Sequence, residues 1–238
     1  MPVWQLLCQS IVGLEHHLMP RRCAFCGIVR GRGEPLTCPG CDTDLPRVRH
    51  QCRGCALPLP APLPEGVACA DCQTHPTPFT AVVAPLHYEF PVDAAIKHYK
   101  FQRRLYYAAA FSELLRPAFA RLPEDIDALL PVPLHWVRHG TRGFNQAAEI
   151  CALLKKATGL PIIRNVRRLR ATPYQSGLSA RERRRNLRRA FAVRGTVTAR
   201  HVLIVDDVIT TGETCRQLAA VLKGHGVEKV SVLAIARA

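Results

Sequence analysis

Eight cysteines in four Cys-x-x-Cys pairs constrain the first third of the sequence more than any other feature. The pairs are Cys23/Cys26, Cys38/Cys41, Cys52/Cys55 and Cys69/Cys72. Two sulfurs on one tight turn supply half of a tetrahedral zinc sphere, and a second turn supplies the other half. We therefore predict two structural Zn²⁺ sites, and we favour pairing of consecutive turns because it closes the shortest loops. Thioredoxin-like redox chemistry is the weaker alternative.

Composition and hydropathy are typical of a folded protein of the cell interior. Of the 238 residues, 48% are hydrophobic and 21% are charged, and no run of about 18 apolar residues predicts a membrane span. The apolar stretch over 3–14 has no Lys or Arg before it and no small-residue cleavage site after it, unlike a secretory signal. We expect a cytoplasmic protein, in which reduced thiols bind metal instead of forming disulfides.

The cysteine-rich segment also sets the predicted domain organisation. We expect an N-terminal helix over 1–22, a double zinc ribbon over 23–78 and a larger domain over 79–238. Each predicted zinc set has four sulfurs and no open position, which indicates a folding role rather than catalysis. The three remaining cysteines are expected to be small buried residues: Cys8, Cys151 and Cys215.

Positive charge is concentrated in one window of the chain. The formal net charge is +15, and residues 161–200 hold twelve Arg against the single acid Glu182, a net charge of +11. A solvated basic helix accounts for many such runs. Arg without Lys nevertheless favours phosphate recognition, because guanidinium pairs with phosphate oxygens bidentately. Charge alone leaves open whether the phosphates belong to a small molecule or to a nucleic acid.

After residue 78, apolar strands alternate with helical stretches. We expect strands over 127–132, 161–169, 190–193, 201–205 and 229–236, and a strand or hairpin over 79–88. We expect helices over 92–101, 105–121, 145–158 and 213–224, the third of them capped by Asn145. Fully apolar strands alternating with helices predict an α/β fold with a mainly parallel sheet flanked by helices. Ligands of such sheets bind at the carboxyl ends of the strands.

The strongest site signal lies at one of those ends, in the segment VLIVDDVITTGET over 202–214. An apolar strand leads into the adjacent carboxylates Asp206 and Asp207, then into a hydroxyl-rich loop with Gly212 and a helix. Carboxylates accept hydrogen bonds from vicinal hydroxyls or hold hydrated Mg²⁺, and a helix N-terminus favours an anion. The pattern therefore predicts a sugar-phosphate site. The chain lacks a Walker motif, and a phospho-receiver aspartate is a weaker alternative.

This segment resembles the phosphoribosyl-pyrophosphate (PRPP) loop of type I phosphoribosyltransferases. The resemblance implies that Asp206 and Asp207 are the catalytic pair and hold the ribose hydroxyls, directly or through Mg²⁺, while residues 210–214 wrap the 5′-phosphate. Glu213 departs from the small residue often found at its position. The implied PRPP-binding residues are Asp206, Asp207, Val208, Ile209, Thr210, Thr211, Gly212, Glu213 and Thr214.

The wider chain resembles the ComF family of competence proteins, which includes relatives called GntX. The resemblance covers the Leu-x-Pro-x-x-Cys-x-x-Cys segment at 18–26, the double ribbon, IKHYKF at 96–101, PVPL at 131–134 and RGFNQA at 142–147. It continues through a pattern of seven residues: Gln175, Leu178, Ser179, Arg183, Asn186, Ala190 and Phe191. It implies a type I phosphoribosyltransferase-like sheet preceded by the zinc ribbons, and a role in DNA uptake.

The family resemblance also implies two further parts of a PRPP site. Pyrophosphate contacts follow PVPL, at Leu134 and His135, with Arg138 and Arg142 as helpers. A flexible loop over 171–189 carries Gln175, Arg183 and Asn186 and covers the site, where arginines neutralise the leaving pyrophosphate. The implied chemistry is displacement of pyrophosphate at ribose C1′ by an acceptor nucleophile with Mg²⁺ present.

Two functions therefore remain open from the sequence. The first is a PRPP-binding phosphoribosyltransferase in DNA uptake with an unidentified acceptor. The second is a non-catalytic protein that handles single-stranded DNA, alongside other DNA-uptake proteins, through the Arg-rich segment and the zinc ribbons. Four aromatic residues either stack on an acceptor base or, as helical spacing favours, belong to the core: Tyr99, Phe101, Tyr106 and Tyr107.

Overall fold

The structure is a computed structural model that describes residues 21–62, 64, 67–102, 106–134, 143–169 and 190–238. The chain divides into two compact units, 1–45 and 46–238. Residues 1–20 of the helix predicted over 1–22, including Cys8, lie outside the described residues. Among the described helices, none is both long enough and apolar enough to cross a membrane.

The secondary-structure elements are numbered here in chain order over the described residues. The strands are β1 (His50–Gln51), β2 (Pro58–Leu59), β3 (Ala81–Val83), β4 (Leu86–His87), β5 (Ala128–Pro131), β6 (Val166–Arg168), β7 (Phe191–Val193), β8 (His201–Ile209) and β9 (Lys229–Arg237). The helices are α1 (Pro39–Asp44), α2 (Ala70–Thr74), α3 (Val92–Phe101), α4 (Tyr106–Phe119), α5 (Gln146–Thr158) and α6 (Glu213–Lys223).

A parallel sheet forms the centre of the larger unit. Its strand order is β3–β9–β8–β5, and β4 also pairs with β9 in the parallel direction. The first five residues of β8 and seven consecutive residues of β9 are buried, as expected for strands with both faces covered. The parallel sheet predicted from the apolar strands is confirmed. The hairpin considered over 79–88 is wrong, because β3 and β4 both run alongside β9.

The four helices predicted after residue 78 are present, with shifts of at most two residues at their ends. The helix α5 begins as predicted, because the Asn145 Oδ1 accepts hydrogen bonds from the amides of Ala147 at 3.0 Å and Ala148 at 3.4 Å. It ends at Thr158 and is capped by Gly159, whose φ of 77° lies in the left-handed region. The short strands β6 and β7 pair antiparallel with each other outside the sheet and lie on either side of residues 170–189, which the structure does not describe.

The core of the larger unit joins the sheet to α6 and to the second cysteine cluster. The buried face of α6 contributes Cys215 and Leu218, which share one apolar cluster with Val82 and Val232 of the sheet. Ala56, between the third and fourth cysteine pairs, is fully buried in the same cluster. The segment between the third and fourth cysteine pairs therefore packs against the sheet through Ala56. Cys151 and Cys215 are both buried, as predicted.

A charged network closes the amino-terminal end of the sheet. The buried His201 ring lies 2.8 Å from the Asp125 carboxylate and 2.9 Å from the Ser231 hydroxyl. Lys229 donates to the same carboxylate at 2.7 Å. Hydrogen bonds from Lys229 and then His201 lower the pKa of Asp125 to about 2.

Asp125→Asn is expected to lower the thermal midpoint at pH 6 and to have a smaller effect at pH 2.5. Because the folded-state pKa is depressed, the stabilisation is complete above the unfolded value near 3.9 and is lost as the pH falls through about 2. Calorimetric melts at the two pH values measure the difference. Asp44→Asn, at an exposed carboxylate in α1, is the control, and an effect of Asp125→Asn that grows with acidification contradicts the account.

Candidate functional site

The acidic pair lies where β8 extends beyond one of its neighbours. Pairing of β8 with β5 ends at Val205, opposite Pro131, whereas pairing with β9 continues to Ile209. The strand is therefore longer than the 201–205 predicted, and Asp206 and Asp207 lie within it. Beyond Val205 the β5 side of the strand has no further residue of β5 beside it. Ligands of parallel sheets usually bind at this end, and the region beyond Val205 on the β5 side of β8 is called the crevice below.

The two carboxylates are held by different contacts. The Asp206 Oδ1 accepts a hydrogen bond from the Asp207 amide at 2.8 Å. The Asp207 Oδ1 lies 2.8 Å from the Nζ of Lys100, at the end of α3. The Asp207 and Lys100 side chains are only 15% and 19% exposed. Asp207 therefore has a cationic partner that is largely shielded from water.

Burial makes Asp206 unusually weak as an acid. Burial and then the charge of Asp207 raise the pKa of Asp206 to about 7, against the opposing effects of the Asp207 amide and the positive charges of Lys100 and Arg168. A buried carboxyl group whose pKa is raised by a neighbouring carboxylate is typical of functional sites. The pair offers oxygens for ribose hydroxyls, and its hard oxygen ligands suit hydrated Mg²⁺.

A tight turn connects the acidic pair to the N-terminus of α6. Thr210 and Thr211 are exposed, and Gly212 has a φ of 72°, a left-handed conformation that favours glycine. The amides at the start of α6 follow directly, and such amides bind anions. The Glu213 carboxylate accepts a hydrogen bond from Gln217 Nε2 at 2.8 Å, one turn along the helix. Its contact with Gln217 gives this carboxylate a partner within α6.

The PVPL segment borders the crevice on the β5 side. The Val132 amide donates to the Val205 carbonyl at 2.9 Å, and Asn145 Nδ2 donates to the Val132 carbonyl at 3.0 Å. Leu134, predicted to contact pyrophosphate, therefore follows a segment hydrogen-bonded to the end of β8. The other predicted pyrophosphate and flexible-loop residues lie outside the described residues: His135, Arg138, Arg142, Gln175, Arg183 and Asn186.

A groove of about 1030 Å³ begins beside this segment. Its wall includes Leu134 and four arginines from the β6–β7 region: Arg164, Arg167, Arg168 and Arg194. The Arg168 guanidinium also lies 5.5 Å from the centre of the Phe191 ring. The groove therefore combines apolar walls with positive charge, and one of its arginines, Arg168, acts electrostatically on Asp206.

The first cysteine cluster has the geometry of a tetrahedral zinc site. The ligand atoms of its four cysteines all lie within 4.8 Å of one another: Cys23, Cys26, Cys38 and Cys41. The sulfurs of Cys26 and Cys38 are 3.7 Å apart, close to the ~3.8 Å edge of a tetrahedron with Zn–S bonds of about 2.3 Å. Burial raises the pKa of the Cys23 thiol, but backbone hydrogen bonds from Cys26 and Cys38 outweigh it and lower the pKa to about 6.

The second cluster repeats this arrangement in the larger unit. Its sulfurs also lie within 4.8 Å of one another and belong to Cys52, Cys55, Cys69 and Cys72. The Cys69 amide donates to the Cys52 sulfur at 3.3 Å. Four thiolates this close would repel one another, and a bound divalent cation would offset that repulsion. Both clusters join consecutive pairs, as predicted, and the all-sulfur donor sets are those of structural zinc.

Comparison with known proteins finds matches to both the cysteine-rich segment and the domain that follows it. Family models match a double zinc ribbon domain over residues 14–73 and a phosphoribosyl transferase domain over residues 140–238. The DNA utilization protein YhgH of Escherichia coli K12 is 34% identical over 228 residues, covering 92% of this chain and 98% of that protein. Competence protein F of Haemophilus influenzae is 35% identical over 182 residues, covering 71% and 78%. The chain belongs to the ComF family.

The ComF-family chain has an α/β fold with a phosphoribosyltransferase-like parallel sheet and an N-terminal double zinc ribbon. Among solved structures, an allosteric regulatory enzyme of purine biosynthesis matches at 21% identity and a TM-score of 0.36, over 54% of this chain and 26% of that enzyme. The family assignment depends on the sequence relatives and not on this overlap.

In this ComF-family chain, Arg237 links the second zinc ribbon to the strand that carries the acidic pair. Its Nε donates to the Cys55 carbonyl and its Nη1 to the Ile209 carbonyl, both at 3.3 Å. The amide of the adjacent Ala238 also donates to Ile209, at 2.9 Å. Burial lowers the pKa of Arg237, which the negative charges of Cys55 and Cys69 oppose. The ribbon thus supports Ile209, the last residue of β8, which lies within the segment that resembles a PRPP loop.

The aromatic residues of α3 and α4 divide into two groups. Tyr99 is fully buried and donates to the Gln146 carbonyl at 3.0 Å, and Tyr107 is also buried. The core interpretation is confirmed for both. It is wrong for Phe101 and Tyr106, which are 69% and 45% exposed.

Two charged residues near the acidic pair, Lys100 and Arg168, were not identified as site residues from the sequence. Lys100 belongs to the IKHYKF segment, which marks the family without assigning a function to any of its residues, and Arg168 is one of many arginines in its window. Each acts on the acidic pair across the fold. The position of IKHYKF before an amphipathic helix gives no indication of that contact.

Proposed function

We propose that this ComF-family chain binds PRPP with Mg²⁺ through residues 206–214 and transfers the phosphoribosyl group to an acceptor nucleophile. One observation carries the proposal. The shielded pair Asp206 and Asp207 lies at the carboxyl end of β8, beyond its pairing with β5, and leads through the left-handed Gly212 into the N-terminus of α6. This order supports the proposal, because carboxylate oxygens suited to ribose hydroxyls and helix amides suited to a phosphate follow one another in one short segment.

Each part of the segment has a chemical role in the proposal. Asp206 and Asp207 accept hydrogen bonds from the ribose hydroxyls or hold Mg²⁺ through their oxygens. The amides at the start of α6, with the hydroxyls of Thr210, Thr211 and Thr214, bind the 5′-phosphate. When bound, Mg²⁺ shares the negative charge of the pyrophosphate. Leu134 would border the pyrophosphate side.

The reaction is a displacement at ribose C1′. The bond between C1′ and the pyrophosphate oxygen breaks, and pyrophosphate leaves with the electron pair. The acceptor nucleophile supplies the pair for the new bond to C1′ and releases its proton. The cationic groups around the crevice stabilise the charge that develops on the leaving pyrophosphate.

A calorimetric titration with PRPP and Mg²⁺ tests the binding step. The variant Asp206→Asn/Asp207→Asn keeps the shape of both side chains, and we expect its PRPP affinity to fall at least ~10-fold, because charge-assisted hydrogen bonds are lost. Asp125→Asn, at the opposite end of the sheet, is the control and should bind as the wild type does. Equal affinity of the double variant and the wild type contradicts the proposed site.

We place the activity in DNA uptake, in the cytoplasm, where zinc-binding thiols remain reduced. The relatives named for DNA utilization and competence support this placement. Single-stranded DNA and other DNA-uptake proteins are the partners that it implies.

A second candidate function is the handling of single-stranded DNA without catalysis. The four arginines that line the groove favour it, because such a surface attracts a phosphate backbone. DNA binding should weaken steeply with salt and persist in the Asp206→Asn/Asp207→Asn variant, whereas PRPP binding should be lost. Fluorescence anisotropy with labelled single strands at two salt concentrations separates the two activities.

A further inference from the structure

Lys100 contacts the acidic pair, and its side chain is far less exposed than that of an ordinary surface lysine. Its Nζ lies 2.8 Å from the Asp207 Oδ1, and its side chain is 19% exposed. Lys97, one turn earlier on α3, pairs with Asp93 at 2.6 Å but is 56% exposed. Exposed pairs of this kind contribute little to stability. Withdrawing a lysine from water instead costs free energy that a charged partner must offset.

The helix holds Lys100 in place. Tyr99, the preceding residue, is fully buried, and its ring packs 6.0 Å from that of Phe111 and 5.6 Å from that of Phe144. Its hydroxyl donates to the Gln146 carbonyl at the start of α5. The backbone at Lys100 is therefore anchored, while its four-carbon side chain lets the ammonium group move by a few ångströms.

PRPP binding changes the charge that faces this ammonium group. In the free protein, Lys100 balances Asp207. Ribose hydroxyls or hydrated Mg²⁺ compete for the same carboxylate oxygens, and the pyrophosphate brings further negative charge to the crevice. In this scheme the Lys100 ammonium group has a negatively charged partner in both states: Asp207 in the free protein and the pyrophosphate in the PRPP complex.

We propose that Lys100 is a pyrophosphate-binding residue, paired with Asp207 in the free protein and with the pyrophosphate of bound PRPP. The inference rests on the proposed function and adds to it a group supplied by α3. In the displacement at C1′, the ammonium group would lie against the departing pyrophosphate and neutralise part of its charge. Lys100 would thus share the role that the family resemblance gives to residues after PVPL.

Three ligands separate this role from a structural one. PRPP and inorganic pyrophosphate, each with Mg²⁺, both contain the group that Lys100 would bind, whereas ribose 5-phosphate has the ribose hydroxyls and the 5′-phosphate alone. Lys100→Met should weaken PRPP and pyrophosphate binding at least ~10-fold, the loss expected for one charge-assisted contact. It should leave ribose 5-phosphate binding unchanged or tighter, because Asp207 is no longer paired.

Two further variants complete the experiment. Lys97→Met removes a lysine from the same helix and should bind all three ligands as the wild type does. Lys100→Arg keeps the charge and should retain pyrophosphate affinity within ~3-fold, which keeps the test valid if Lys100→Met folds poorly. Thermal melts of every variant establish that it is folded.

The possible results distinguish failure of this inference from failure of the proposed function. Wild-type protein that binds neither PRPP nor pyrophosphate overturns both. Wild-type binding of PRPP with unchanged pyrophosphate affinity in Lys100→Met overturns the role of Lys100 alone. An equal loss of all three ligands also overturns it, because Lys100 would then act only by holding Asp207.

Discussion

Replacing Cys52 by serine is expected to reduce zinc content from two ions per chain to one and to lower the thermal midpoint of the larger unit by about 10 °C or more. Structural zinc contributes folding free energy directly, about 10–16 kcal/mol in isolated zinc-finger peptides. In this chain the second ribbon is part of the core, since Ala56 is fully buried with Val82 and the Val82 amide donates to the Arg53 carbonyl at 2.8 Å. Loss of the ion should therefore loosen the edge of the sheet.

Loss of the second zinc ion should also affect residues 206–214, the segment that resembles a PRPP loop. Arg237 contacts both the Cys55 carbonyl and the Ile209 carbonyl, so disorder in the ribbon removes a support from the end of β8. Metal analysis by mass spectrometry and a calorimetric melt measure the two effects. Cys151→Ala, at a buried thiol outside both clusters, should retain two zinc ions. Cys52→Ser with two bound ions, or with an unchanged melt, contradicts the account.

Asp206→Asn is expected to stabilise the fold at pH 8 by about 2–4 kcal/mol, because a pKa that differs by one between the folded and the unfolded chain corresponds to about 1.4 kcal/mol. The pKa of Asp206 is raised to about 7 by burial and then by the charge of Asp207. Ionising this carboxyl group is therefore harder in the folded chain than in the unfolded chain, where the pKa is near 3.9. The wild-type fold loses stability as the pH rises from about 4 to 7 and reaches the full cost above that range.

Asparagine removes this cost while its side-chain oxygen can still accept the hydrogen bond from the Asp207 amide. Urea unfolding at pH 8 and at pH 4 measures the effect. The variant should be more stable than the wild type at pH 8 and nearly equal to it at pH 4. A variant less stable than the wild type at pH 8 contradicts the free-energy cost that we assign to the buried, ionised Asp206 carboxylate. A gain in stability with a loss of PRPP binding is typical of a functional site.

Local pattern was sufficient to predict much of this fold. The helix over 92–101 has the predicted bounds, and Asn145 caps α5 as its residue type suggests. The zinc clusters join consecutive cysteine pairs, because ligand spacing and loop closure are properties of nearby sequence. The parallel sheet follows from strands without a polar face.

Local sequence patterns could not predict contacts between segments that lie far apart in the sequence. Lys100 and Asp207 are far apart in the sequence, and nothing in the spacing of IKHYKF indicates which strand its last lysine meets. The extension of β8 to Ile209 depends on pairing with β9, so an apolar run that stops at Val205 predicts too short a strand. The packing of the second ribbon against the sheet depends on the same kind of long-range contact.

The position of PRPP in a crystal of the Mg²⁺ complex tests the central claim most directly. The account predicts the 5′-phosphate at the amides that begin α6, the ribose hydroxyls or Mg²⁺ at Asp206 and Asp207, and the pyrophosphate on the Leu134 side. Density for PRPP in the arginine-lined groove alone, with Asp207 still paired to Lys100, would contradict it.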